Sequence, residues 1–148
     1  MRKLKPLVLF TVGGSIYYLI EFVYKTFISG GILHWSMFLL GGLCFLIIGA
    51  LNEKLPWEMS IIKQGLIGAI IVTVLEFVFG IILNTILKLN IWDYSHLPLN
   101  IMGQVCLPFA IAWFFLAIIA IMLDDYLRWK WFGEDKPHYH LKDHELCE

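Results

Sequence analysis

The sequence predicts an all-α, polytopic membrane protein with four transmembrane helices, built from two repeated helical hairpins with both termini on the cytoplasmic side. Three observations carry that reading. The chain of 148 residues is 59% hydrophobic and 16% charged, with a mean hydropathy of +0.77, whereas soluble domains lie nearer half apolar and a quarter charged. The excess apolar residues fall in four long runs. The Lys and Arg residues are distributed unevenly between the segments that join those runs.

A helix needs about 20 apolar residues to cross a bilayer. The runs predict helices over about 6–27, 35–51, 61–87 and 102–123. Ser29-Gly30-Gly31 closes the first, and Asn52, Glu53, Lys54 and Pro56 close the second. Lys88, Asn90 and Asp93 follow the third, and Asp124 with Asp125 ends the fourth. Arg2, Lys3 and Lys5 before an apolar run resemble the start of a signal peptide. The run continues past Glu21 to Phe27 without an A-x-A-like cleavage site, so it is read as a retained helix. The short turn from Asn52 to Ser60 makes the second and third helices antiparallel neighbours.

Counting basic residues sets the orientation. Nine lie in the N-terminus, the 52–60 turn with Lys63, and the tail, against Lys25 and Lys88 in the other two connections. The first group therefore faces the cytoplasm. Residues 1–132 form the transmembrane domain, with 124–132 an interfacial segment anchored by Trp129, Trp131 and Phe132. Residues 133–148 form a polar cytoplasmic tail, solvated and disordered. His138, His140, Asp143, His144 and Cys147 in that tail fit no structural zinc spacing, so no metal site is assigned.

The chain also repeats. Tyr18–Tyr24 matches Thr73–Phe79 at an offset of 55, and Gly41–Cys44 matches Gly103–Cys106 at 62. Two helices per repeat would give a parallel duplication about an axis along the membrane normal, with Cys44 over Cys106 and an outer loop about seven residues longer in the second half.

Glu21 and Glu76 are the leading site candidates. A carboxylate inside an apolar helix costs a few kcal/mol and marks a site by default. Both lie about 6 Å outward of their helix midpoints at the helical rise, so they could share a proton, a cation or an ammonium group. They could equally act as hydrogen-bonded glue, and Lys25 at i+4 could pair with Glu21 alone. Gly65, Gly68, Val72, Glu76, Gly80 and Asn84 share one stripe of the third helix, a seam of small and polar residues for close packing. The loop Asn90–Gln104 is too apolar for a solvated linker, and Trp92, Asp93, Tyr94, Asn100 and Gln104 complete the candidate binding set. Asp93 either caps a turn at Ser95 or points toward the two glutamates.

Trp92-Asp93-Tyr94-Ser95, then Pro98, Asn100, Gly103 and Trp113, together with the Glu21 and Glu76 helices, resemble the family called putative ABC-transporter type IV, or CmpB-like. The resemblance spans about residues 10–125. It implies a permease-like membrane subunit working with a separate ATPase subunit.

A net charge of −1 and a pI near 6.5 leave no basic surface for nucleic acid. The chain holds no G-x-x-x-x-G-K-[ST] phosphate loop and implies no cofactor. The expected function is small-solute transport or binding in the cell membrane, by a homo-oligomer. The rivals are an intramembrane lipid-modifying enzyme and a non-catalytic assembly or regulatory subunit. The enzyme reading lacks a nucleophile motif, Cys106 being the available thiol.

Overall fold

The computed structural model describes residues 4–56 and 59–141. Among them every regular element is helical: α1 (Lys5–Tyr24), α2 (Ser36–Asn52), α3 (Ile61–Gly80) and α4 (Leu107–Phe132). Three helical spans, Lys5–Ser29, Ile61–Ile86 and Leu107–Phe132, are long and apolar enough to cross a membrane, while α2 is apolar but shorter. Local chemistry sets the ends. Pro6 and Pro108 occupy the first turns of α1 and α4, where a missing N–H costs nothing. Ser60 Oγ caps α3 by accepting from the Lys63 amide at 3.4 Å. Gly30 and Gly133 take left-handed φ values of 68° and 70°, which close helices at little cost only for glycine.

The helices alternate in direction. Lys5, at the start of α1, pairs with Glu134 just beyond α4. Arg128 on α4 reaches Glu53 at the end of α2, at 3.4 Å. The Ile61 amide at the start of α3 donates to the His140 carbonyl at 2.9 Å. All four of these termini therefore share one end of the bundle. α1 packs most extensively on α2, and α3 on α4. Glycine allows both close approaches: a Cβ at Gly13 would overlap Phe45, and one at Gly68 would overlap Ala117. In lipid such contact replaces the hydrophobic effect as the force between helices.

The distribution of side chains is inside out. Leu19, Leu66, Ile70, Val74, Phe115 and Ile119 face outward, whereas Lys25, Glu76, Asp124 and Arg128 are buried. An outward aliphatic belt of this extent needs an apolar surround.

The helix bounds differ from the sequence expectation at α4. It starts at Leu107 rather than 102, because Met102 and Gly103 hold left-handed φ values of 51° and 68°. It then runs without interruption to Phe132. Asp124 does not end it, because Arg128 one turn further on pairs with that carboxylate, so residues 124–132 continue α4. The connections differ more than expected too: residues 87–106 join the second pair, residues 30–35 the first. Cys44 sits inside α2 and Cys106 precedes α4, so the second repeat match does not join equivalent positions.

α1 continues into a π-helical turn, Lys25–Ser29, and α3 into another, Ile81–Ile86. Glu21 and Glu76 each lie about one turn before that change.

The described part of the tail is docked. Tyr139 Oη donates to Asp125 Oδ2 at 2.8 Å, and His140 takes up the α3 amide. The tail's Lys142, Asp143, His144 and Cys147 lie outside the described residues, as do Arg2 and Lys3.

Candidate functional site

The end of the bundle opposite the paired termini is closed by residues 87–106, and the candidate site forms where this connection meets α1, α3 and α4. The connection folds on buried polar side chains. Asn84, just below it in the π-helical turn that follows α3, accepts from the Ile91 amide at 2.7 Å and donates to Gln104 Oε1 at 2.9 Å. Trp92 Nε1 donates to the Gln104 carbonyl at 3.0 Å, and the Tyr94 amide to the Gly103 carbonyl at 2.8 Å. Asn100 donates to the carbonyls of Ser95 and Leu97 and accepts from the Gly103 amide. Four non-glycine residues of this connection, Lys88, Asn90, Leu99 and Met102, stand at φ near 50°. Such backbone persists only where the surroundings over-determine it.

Tyr94 reaches from this connection into the bundle. Its Oη donates to Glu76 Oε1 at 3.1 Å, and Trp113 Nε1 of α4 donates to Glu76 Oε2 at 2.8 Å. Glu76 is 2% exposed, so both its oxygens are bonded out of reach of solvent. Tyr17 of α1 stacks on Trp113 with centroids 5.7 Å apart, and Tyr94 stacks on Phe109 at 4.6 Å. Burial holds the Tyr94 hydroxyl well above the usual tyrosine range, and the charges of Glu76 and Glu21 push it further, so it remains a donor.

Glu21 is held differently. Its Oε2 lies 3.5 Å from Lys25 Nζ one turn on. Lys25, 5% exposed, also donates to the carbonyls of Ile32 at 2.8 Å and Ile91 at 3.1 Å. The lysine thereby ties α1 to both connections. Glu21, Lys25, Tyr24, Trp92, Asp93 and Tyr94 line one open cleft of about 510 Å³. Asp93 is exposed at its mouth, where Oδ1 accepts from the Ser95 amide at 2.9 Å. That bond holds its carboxyl below the usual carboxylate range. Of the sequence-predicted set, Glu21, Trp92, Asp93 and Tyr94 meet at the cleft and Glu76 lies beneath through Tyr94. Asn100 and Gln104 brace the connection instead. Among the described residues no group of three His, Cys, Asp or Glu could hold a metal ion.

Trp113, Lys25 and Asn84 carry as much of this arrangement as the residues singled out from the sequence. Their signal was present: an indole among the residues that carry the family resemblance, a lysine at i+4 from Glu21, and an amide about two turns beyond Glu76 on the same stripe.

Aliphatic side chains turned outward around buried carboxylates, cations and amides define an integral membrane protein of the helical-bundle class. The chain belongs to the family described as Putative ABC-transporter type IV, which matches residues 8–132. No solved structure matches it.

Proposed function

We propose that the chain is a permease-like subunit of the cell membrane that binds its transported molecule in the cleft above Glu76. The observation that carries this is the Glu76 carboxylate itself, buried on α3 and bonded at once by the outer connection and by α4. A change at the cleft that moves Tyr94 must change the bonding of a group shared by two helices, which is what coupling binding to bundle rearrangement requires. The family description supports the transport context.

In this reading the chain crosses the membrane four times. The rise of α2 is about 25 Å, close to the roughly 30 Å of a bilayer core, and its antiparallel course between α1 and α3 supports a crossing. The nine-to-two basic asymmetry puts the end carrying Lys5, Glu53 and Arg128 in the cytoplasm, where a separate ATPase subunit would dock. The matched glutamates, π-helical turns and Gly13–Gly68 pair support duplication of α1 in α3. The apolar groove between α3 and α4, lined by Leu66, Ile70, Val74 and Phe115, suits a second copy. The lipid-modifying enzyme is the weaker reading, because burial pushes the Cys106 thiol up and away from the reactive thiolate.

The test compares Glu76→Gln with Glu76→Leu, using growth or uptake as the readout and thermal unfolding as the control. Gln keeps the acceptor toward one donor and cannot ionise. Lost function with a folded Gln variant supports the reading. Full function in Glu76→Gln would reduce Glu76 to a structural bond.

A further inference from the structure

We infer that the last turns of α4 seat one phospholipid whose headgroup carries net negative charge, its phosphate between Lys130 and Lys136 and one acyl chain along the outer face of the helix. Phe115, Ile119, Met122 and Tyr126 are all exposed. They follow one another at four- and three-residue steps, so they form one stripe of α4. The next steps of that stripe are Trp129 and Lys130. Measured from Leu107, Tyr126 lies about 29 Å along the helix axis, close to the roughly 30 Å of a bilayer core. Trp129 and Lys130 stand about 4–6 Å further on, at headgroup depth. The stripe turns from aliphatic to aromatic to cationic in the order in which a phospholipid turns from chain to glycerol to phosphate.

The cations at its end are gathered on one ring. Lys130 Nζ stands 3.9 Å from the centroid of Trp129, and Lys136 Nζ, three residues past the turn at Gly133, stands 5.8 Å from the same centroid. The two ammonium groups are thus within about 10 Å of each other, the screening length at about 0.1 M salt, and they repel. The indole attracts each of them but brings no net charge. Among the described residues neither lysine is within ion-pair distance of a carboxylate. The nearby acids serve other groups: Glu134 pairs with Lys5 and Arg128, Asp124 with Arg128, and Asp125 accepts from the Tyr139 hydroxyl. Asp135 is exposed beside Lys136 and reaches neither lysine. An anion between the two ammonium groups relieves their repulsion and gains two charge-assisted contacts.

The stripe makes that anion a lipid headgroup rather than a free phosphate ester. Tyr126, edge-on to Trp129 with centroids 6.1 Å apart, leads directly from the cations to the aliphatic face. A zwitterionic headgroup would bring its own ammonium as a third cation, whereas a headgroup charged only at its phosphate brings none.

The test incubates the full chain in a neutral sugar detergent with equal amounts of phosphatidylglycerol and phosphatidylcholine of matched chains, and reads the lipid retained by native mass spectrometry. It needs no transport, so it stands apart from the cleft. Two lysines predict a preference for phosphatidylglycerol on the order of thirtyfold, and Lys130→Gln or Lys136→Gln alone should lower it by about fivefold. The double variant should retain both lipids alike. Trp129→Leu, which removes the ring that gathers the lysines, should reduce the preference with both charges still present. Lys54→Gln removes an exposed lysine at the same end of the bundle and should leave it unchanged. Thermal unfolding checks that each variant is folded.

Equal retention of the two lipids by the unaltered chain, or retention of neither, would overturn the inference. So would a preference that survives in the double variant or falls as far in Lys54→Gln, which would mean diffuse attraction to a basic end and no seat. A large excess of glycerol phosphate should leave the lipid in place; displacement would make the ligand a free phosphate ester and remove the stripe from its recognition.

Discussion

Asn84 bridges three pieces of the molecule through one carboxamide: its own helix, the Ile91 amide and the Gln104 side chain. A buried amide group that loses its partner costs about 1–3 kcal/mol. Asn84→Leu, which keeps the branching and number of side-chain heavy atoms, should therefore destabilise the protein by at least about that amount, read as a lower thermal unfolding temperature in detergent and faster proteolysis within residues 87–106. An unchanged unfolding temperature would show that the connection is held by its other bonds. Asp93 makes a contrasting case. Its Oδ1 serves the Ser95 amide from an exposed position, so Asp93→Asn should leave the unfolding temperature unchanged and Asp93→Ala should lower it. The two substitutions separate the turn-capping role from a binding role at the mouth of the cleft, because only the second role would need the charge.

At the scale of elements, α4 bears the largest electrostatic load. Asp124 is 0% exposed, packs against Gly49 and pairs with Arg128, leaving its Oδ1 without a hydrogen-bond partner. Removing one partner of a buried ion pair typically costs about 3–5 kcal/mol, because the other charge remains in a low dielectric. Arg128→Met should show a loss of that order, and adding Asp124→Asn should recover part of it; equal stability of the two variants would mean water reaches this end of the helix. Arg128 also meets Glu53 and Glu134, so the single variant should loosen the ends of α2 and α4 together. The α1–α2 hairpin depends instead on shape. Gly13→Ala places a methyl in the volume held by Phe45 and should cost about 1–3 kcal/mol. Phe45→Leu should relieve it. A Gly13→Ala protein of wild-type stability would mean that the helices are free to separate.

For the whole molecule the decisive property is orientation. The paired termini and the 87–106 connection occupy opposite ends of the bundle, so labelling one site fixes the other. In a cysteine-free background, Ser95→Cys should react with an impermeant thiol reagent in intact cells, since Ser95 is exposed. A chain retaining only Cys147 should stay unlabelled until the membrane is opened. The reverse pattern would invert the molecule and place the cleft on the cytoplasmic side.

The composition and the apolar runs were enough to determine a helical membrane protein, because the bilayer imposes length and hydrophobicity on each segment independently of its neighbours. Glu21 and Glu76 stood out for a related reason: each is a carboxylate inside a long apolar helix, legible without any neighbour. The start of α4 was not legible, since residues 102–106 are as apolar as a helix and only the left-handed backbone at Met102 and Gly103 shows otherwise. The end of α4 was hidden likewise, because Asp124 and Asp125 look like a boundary until Arg128 and Tyr139 are seen to meet them. The pairing of the glutamates was decided by tertiary structure as well. Glu21 has a partner four residues away, which sequence spacing can suggest. Glu76 is bonded by Tyr94 and Trp113, residues 18 and 37 positions distant. No local pattern encodes that meeting, since it exists only once α4 and the long connection have packed on α3.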